Sequence, residues 1–393
     1  MENNGLVGDE RMSGVSILDR IDDVKEIDKS NMLGHCIRTP QYSRDVVERA
    51  EQIELPVKVD ISRKVSIRYK KPCHIVIAGM GGSAIGGEIL KDWLRDKLPI
   101  PIEISSDYTL PAYTNEDTLV FVISHSGETE ETLSSFVDAL RKRCMIVSIT
   151  SGGHLLSFSK RLSLPFVQIS GGLPPRAAIP FLYFPLPILL EKIGVLSNVE
   201  KEIDEAIRIM KTVGEANAPT VPVEDNMAKK LALELMGTVP VVYGFRQYNA
   251  IAHRLKTQFN ENSKVVSGYD VFPELNHNEV VGWEAPEALT KHFSVVVIRD
   301  RDENVEMRRR IEVTKSLALK GARKVLEIYA RGNGKLAKMF SVLHMGDFVS
   351  VYLAILQGKD PTPVKTISAI KEEMKSEFSV VDGVEDEIRK IVM

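Results

Sequence analysis

Glu261 and His277 stand sixteen positions apart in a polar stretch between apolar segments, within Asn260-Glu261-Asn262-Ser263-Lys264 and Pro273-Glu274-Leu275-Asn276-His277-Asn278-Glu279. Polar, ionisable clusters do not build cores and tend to build sites. A carboxylate and an imidazole on loops or element ends can move protons on a small substrate. A metal reading is disfavoured, because no second His or Cys lies at ligand spacing from His277.

Two upstream loops could hold such a substrate. Gly79-Met80-Gly81-Gly82-Ser83-Ala84 lies between an expected strand, His74–Ala78, and an expected helix, Gly82–Leu94. Gly79, Gly81 and Ala84 nearly spell the dinucleotide fingerprint, with Glu103 at a suitable distance for a ribose hydroxyl. The same loop would suit a sugar phosphate at the helix N-terminus, or be a tight turn without a ligand. The second loop, Ser124-His125-Ser126-Gly127-Glu128-Thr129, follows the expected strand Leu119–Ile123. Its hydroxyls could donate to phosphate oxygens where ligands bind in open α/β sheets. Capping the next helix would need only one of them. Three hydroxyls beside a glycine favour phosphate binding.

The elements that must position these loops read as continuous apolar strands alternating with helices. Strands are expected at Pro101–Ser105 and Met145–Ile149, helices at Pro40–Glu54 and Glu128–Lys142, and a proline-broken helix at Arg176–Ile193. The second half repeats the theme. It has strands at Val239–Tyr243, Phe293–Ile298 and Arg323–Ile328, with helices at Glu224–Met236, Gln247–Asn260, Val305–Leu319, Leu336–Leu356 and Val364–Phe378. This pattern predicts an α/β chain of two doubly wound αβα sandwich domains with parallel sheets. The expected division is a tail over 1–30, domains over 31–195 and 224–393, and a linker over 196–223.

Composition narrows the functional class. The chain's 393 residues suit two domains, and a net charge of −3 gives no nucleic-acid footprint. Cys36, Cys73 and Cys144 lack paired spacing, so neither a disulfide framework nor a zinc site is expected. Cys73 and Cys144 open apolar runs and are expected to be buried thiols. The stretch Met1–Asp28 lacks a signal-peptide pattern. The longest apolar candidate, Ile179–Leu190, is short for a membrane span and carries three prolines. A cytoplasmic protein with no membrane partner is expected. Gly332-Asn333-Gly334-Lys335 has no Ser or Thr after its lysine and is not a nucleotide loop. Arg308–Arg310 reads as a solvated helix face.

Gly81-Gly82-Ser83 and Ser124-His125-Ser126-Gly127-Glu128-Thr129 make the chain similar to the SIS (sugar isomerase) superfamily. Four further segments narrow the resemblance: Gly171-Gly172-Leu173-Pro174-Pro175-Arg176-Ala177-Ala178, the Glu261 and His277 motifs, and Asp360-Pro361-Thr362-Pro363-Val364. With these the chain resembles the archaeal-type bifunctional phosphoglucose/phosphomannose isomerases over roughly residues 30–375. The resemblance implies two SIS domains and interconversion of glucose 6-phosphate, and mannose 6-phosphate, with fructose 6-phosphate through a cis-enediolate. Proton transfer of this kind needs no cofactor and no metal. The resemblance assigns the base to Glu261 and the cation facing the enediolate to Arg176. It gives ring opening to His277 with a C-terminal lysine, for which Lys371 is first by position and Lys365 second. Ser124, Ser126 and Thr129 would take the phosphate, and Gly81, Gly82 and Ser83 would line the substrate. The family's small polar residue ahead of the lysine is absent here, Val364 standing in its place, or is shifted to Thr362, a departure that bears on the mannose 6-phosphate activity more than on the glucose 6-phosphate one. The resemblance also implies a homodimer in which His277 reaches the neighbouring subunit's site.

Two other classes compete. A sugar-phosphate-binding regulator of SIS type would need a DNA-binding domain, and the first seventy residues show no helix-turn-helix pattern. A nicotinamide-dependent dehydrogenase would explain the Gly79 loop but neither the Ser124 loop nor Glu261.

Overall fold

The computed structural model describes residues 16–377 and 380–392. The chain forms two compact units. One comprises residues 40–203 and 364–393, the other the residues up to 39 together with 204–363.

The unit of residues 40–203 and 364–393 carries a small antiparallel pair, β1 (Lys58–Asp60) and β2 (Ser66–Arg68), and one main sheet. The main sheet contains β3 (His74–Ala78), β4 (Ile102–Ser105), β5 (Thr118–Ile123), β6 (Met145–Thr150) and β7 (Phe166–Gln168). Its order is β4-β3-β5-β6-β7 and every pairing is parallel. All residues of β5 and β6 are buried, as continuous apolar strands covered on both faces must be. The chain leaves β3 for β4 on one side and returns as β5 on the other. The crevice between the C-terminal ends of β3 and β5 is therefore the switch point of the sheet. Trp93 is fully buried and its indole Nε1 donates to Glu202 Oε2 at 2.9 Å.

The C-terminal helices Lys365–Glu377 and Val380–Val392 belong to this unit, whereas the sequence attached them to the second domain. Val380–Val392 packs against the helix Glu130–Arg141, with an ion pair of Arg141 to Glu387, and is also paired at 2.6 Å through Glu385 to Arg161, the last residue of the helix Gly153–Arg161. Such long-range docking leaves no local trace in a sequence.

The other unit carries β8 (Val239–Phe245), β9 (Gly268–Phe272), β10 (Phe293–Arg299) and β11 (Lys324–Tyr329), in the order β11-β10-β8-β9, again all parallel. Its central element is the 22-residue helix Lys335–Leu356. That helix exceeds the expected longest apolar stretch and is long and apolar enough to cross a bilayer. Yet 94% of its most apolar window is buried inside the protein, as in a core helix. At its start, the Glu205 carboxylate accepts from the backbone N–H of Asn333 at 2.7 Å and of Gly334 at 3.0 Å.

Several expectations need correction. The expected linker contains the helix Val199–Ala216, with Val199, Ile203, Ala206, Ile207, Met210 and Val213 buried along one stripe. The helix expected from Pro40 starts at Met32, and Pro40 lies inside it rather than in its first turn. Residues 1–15 of the expected tail lie outside the described residues. From Ser16 onward the chain is ordered as a 3-10 turn and the helix Ile21–Ile27, where Asp19 Oδ1 accepts from Lys229 Nζ at 2.9 Å and from Val223 N at 3.0 Å. Cys144 is buried as expected, but Cys73 is exposed, because it stands one residue before β3 at the open end of the sheet.

Candidate active site

The glycine loop, the serine loop and Arg176 belong to one unit, and its sheet brings the first two to the C-terminal ends of β3 and β5. The helix Gly82–Leu94 follows Gly81 directly and has no side-chain cap. A Cβ on Gly82 would come within 3.2 Å of the Pro175 carbonyl oxygen and 3.6 Å of Arg176 N. Gly82 thus lets the glycine loop lie against the Pro175-Arg176 segment. Arg176 sits in the 3-10 turn Pro175–Ala178 and is buried, with 3% of its surface exposed, as arginines seldom are unless paired. Ser83 is buried, Gly82 half-buried and Gly81 exposed.

In the serine loop the three hydroxyls divide. Ser124 is fully buried; its Oγ accepts from Gly127 N at 3.0 Å and lies 2.9 Å from Thr129 Oγ1. Ser126 is exposed, and its Oγ accepts from Glu128 N at 3.2 Å. Thr129 precedes the helix Glu130–Arg141 and makes no side-chain capping bond to it. Ser124 shapes the loop from inside, while Ser126 and Thr129 stand nearer its surface.

Neighbours that the sequence did not single out hold this loop in place. The Glu128 carboxylate accepts from His154 N at 3.1 Å and meets His154 Nδ1 at 2.6 Å, tying the loop to the turn after β6. Ser151 Oγ donates to the His125 carbonyl at 2.7 Å. Burial holds the His125 imidazole below the ordinary histidine range, opposed by a hydrogen bond to the Ser170 backbone just ahead of Gly171-Gly172.

Glu261 and His277 lie in the other unit. The expected helix Gln247–Asn260 is the helix Asn249–Gln258, which continues as a π-turn over Phe259–Ser263. Such turns recur at functional sites because they aim a side chain that a regular helix would point elsewhere. Glu261 is half-buried within it. Lys264, in the left-handed region at φ +57, ends the turn; its ammonium donates to the Glu261 carbonyl and, at 2.9 Å, to the Pro361 carbonyl. Lys264 thereby joins the Glu261 motif to Asp360-Pro361-Thr362-Pro363. The two ends of the motif are also fixed: Asn260 Nδ2 donates to Val265 O at 2.9 Å and Ser263 Oγ to Ser350 O at 2.6 Å.

His277 is exposed, in the 3-10 turn Glu274–His277 after β9. Its flanking asparagines pin that turn. Asn276 Nδ2 donates to Thr314 Oγ1 at 2.8 Å and its Oδ1 accepts from Arg310 at 3.2 Å, while Asn278 Nδ2 donates to Glu274 Oε1 at 3.1 Å. Arg310 is thus a supporting contact, not only part of a solvated face. Lys365 and Lys371 are both exposed on the helix Lys365–Glu377.

A family model described as "SIS domain" matches residues 67–155, and one described as "Bacterial phospho-glucose isomerase C-terminal SIS domain" matches residues 224–374. The chain is 40% identical over 325 residues to the bifunctional phosphoglucose/phosphomannose isomerase of Caldicellulosiruptor bescii, covering 82% of this chain and 96% of that one. The enzymes of the same name from Aquifex aeolicus and Thermoplasma volcanium are 35% and 34% identical, over 77% and 85% of this chain and 90% and 99% of theirs. Among solved structures, the C-terminal domain of glucosamine-fructose-6-phosphate aminotransferase from Francisella tularensis shares the fold, with a TM-score of 0.63 at 16% identity over 84% of this chain and 98% of that one.

Proposed function

Because this chain belongs to the bifunctional phosphoglucose/phosphomannose isomerase family, we propose that its residues divide the work of an aldose–ketose isomerase as follows. The enzyme interconverts glucose 6-phosphate and mannose 6-phosphate with fructose 6-phosphate. Ser126 and Thr129, with backbone N–H groups of the serine loop, take the substrate phosphate, and Ser124 fixes the loop that presents them. Gly81, Gly82 and Ser83 line the sugar. His277 and Lys371 open the ring, with Lys365 the alternative lysine.

Glu261 then removes the proton from C2 of the open aldose and returns it to C1, while the proton of the O2 hydroxyl passes to O1, and the reverse for the ketose. A single carboxylate serves both transfers because the two carbons are adjacent. The cis-enediolate between them is anionic, and the guanidinium of Arg176 stabilises it. Glucose and mannose 6-phosphate differ only at C2, so one enediolate connects both to fructose 6-phosphate. A homodimer in which His277 serves the neighbouring subunit's site completes the reading. Three free cysteines suit a reducing, cytoplasmic setting.

The observation that carries this assignment is the half-buried Glu261 carboxylate on a π-turn whose neighbours are bonded into the core. The test is to measure fructose 6-phosphate formation from each aldose 6-phosphate with chelator present and nucleotides absent. Glu261→Gln is expected to lose about 10²–10⁴-fold in kcat with little change in phosphate affinity. A Glu261→Gln enzyme within about threefold of wild type would remove Glu261 from the mechanism.

A further inference from the structure

The turn bearing Glu261 is gripped from one side by a single face of the long helix Lys335–Leu356. Asp347 holds the approach to the turn: its carboxylate accepts from Arg254 Nη2 at 2.9 and 3.1 Å and from Gln258 Nε2 at 2.7 Å, all buried. One turn further on, Ser350 holds the turn itself. Its hydroxyl donates to the Asp347 carbonyl at 2.8 Å and accepts from Asn262 Nδ2 at 2.9 Å, while its carbonyl accepts from Ser263 Oγ at 2.6 Å. Residues 254, 258, 262 and 263 are thus fastened to two positions, 347 and 350, and Glu261 is the half-buried carboxylate carried between those anchors.

We propose that Ser350, with Asp347 beside it, is a positioning residue for the isomerase reaction, and that its hydroxyl sets where the Glu261 carboxylate stands relative to C1 and C2 of the substrate. This rests on Glu261 being the base. A π-turn closes with i→i+5 backbone bonds, a rarer geometry than that of the helix before it, and the side-chain anchors favour that geometry here. Asn262 is adjacent to Glu261 in the chain, and the amide that fixes it has the Ser350 hydroxyl as its acceptor. Without the Ser350 hydroxyl, Asp347 would still hold the approach and the Ser350 carbonyl would still hold Ser263, but Asn262, the neighbour of Glu261, would lose this anchor. A base that serves two carbons needs its carboxylate placed to within a fraction of an ångström, and displacement by about 1 Å costs about 10²-fold. The alternative is that Ser350 is only core packing, in which case its loss would lower stability and the amount of active enzyme without touching the chemistry of the remainder.

Two variants and one cycle separate these readings. Ser350→Cys fills the same space with a poor hydrogen-bond partner, and Asn262→Ala removes the same bond from the other side. Each is expected to lower kcat at least tenfold with KM for fructose 6-phosphate within twofold of wild type. In the Glu261→Gln background, Ser350→Cys is expected to cause no further loss, because a residue acting through the carboxylate has nothing left to position. Wild-type kcat in Ser350→Cys, with Glu261→Gln inactive, would overturn the proposal. So would a further tenfold loss in the double variant, which would mark Ser350 as structural. Full activity of Glu261→Gln alone is the distinct result that would remove the base assignment and the proposal with it.

Discussion

Gly127→Ala should separate a phosphate-binding loop from a helix start. Gly127 has φ +74, and a Cβ placed there would lie 1.9 Å from the Gly152 carbonyl oxygen and 2.9 Å from Thr150 Oγ1. A left-handed alanine costs about 1–2 kcal/mol. The clash cannot relax without moving backbone on both sides, adding on the order of 1–3 kcal/mol. The total expected destabilisation is about 2–5 kcal/mol. Gly194 provides the matched control in the same unit, since it has φ +77 and nothing within 4 Å of a new Cβ. Gly194→Ala should cost only the conformational part, about 1–2 kcal/mol. Opening the contact to an ordinary separation moves the Ser126–Thr129 loop by about 1 Å, which should raise KM for fructose 6-phosphate on the order of 10²-fold. The loss should fall on KM more than on kcat, because phosphate contacts exist in both ground and transition states. Urea unfolding measures the stability term, and glucose 6-phosphate release, read through a dehydrogenase coupled to NADP reduction, measures the kinetics. A folded, destabilised Gly127→Ala enzyme with KM within twofold of wild type would refute the reasoning.

Two further outcomes follow from the site and the core. If each site draws Glu261 from one chain and His277 from the other, Glu261→Gln and His277→Ala homodimers should each be nearly inactive, while purified heterodimers should recover about half of wild-type activity; heterodimers with no recovery would place both residues in one chain's site or remove His277 from the reaction. His344 is fully buried, and burial, with Arg254 adding, holds its imidazole down at about 3, against about 6.5 in an unfolded chain. The unfolded state therefore takes the proton first, so this contribution is complete above about pH 6.5 and is lost as pH falls toward 3, by about 1.4 kcal/mol per pH unit. His344→Gln should flatten the fall of urea midpoint between pH 6 and pH 4, whatever its constant offset, and an unchanged slope would mean that another group drives the acid transition.

The sheet carrying the glycine and serine loops was legible because its strands are continuous apolar runs ended by turn-forming, hydroxyl-rich loops. β7 and β9 were not, since Phe166–Gln168 and Gly268–Phe272 are short and lack an apolar run. The helix Val199–Ala216 was missed for a different reason. Its apolar residues recur at helical spacing, but they are interleaved with many Glu and Lys residues, so the apolar stripe stands out only once it is packed. Glu261 and His277 could be picked out as ionisable groups in polar motifs. Their support could not: Ser350 and Asn262 are 88 residues apart, and Asn276 and Thr314 are 38 apart, so only the folded chain brings them together. The Glu128–His154 contact is hidden in the same way, because both residues look like ordinary exposed polar positions.

The Glu205 carboxylate at the head of the helix Lys335–Leu356 bears on how a duplicated architecture divides its labour. Both sheets of this protein end strands against helix N-termini, the place where backbone amides and the helix dipole welcome negative charge. In the second sheet's unit the chain supplies that negative charge itself, from the Glu205 side chain carried by every folded molecule. An incoming phosphate would have to displace a tethered rival from Asn333 and Gly334. That helix N-terminus is in effect self-liganded, and the long helix it opens is left to act as a rigid spine of its unit.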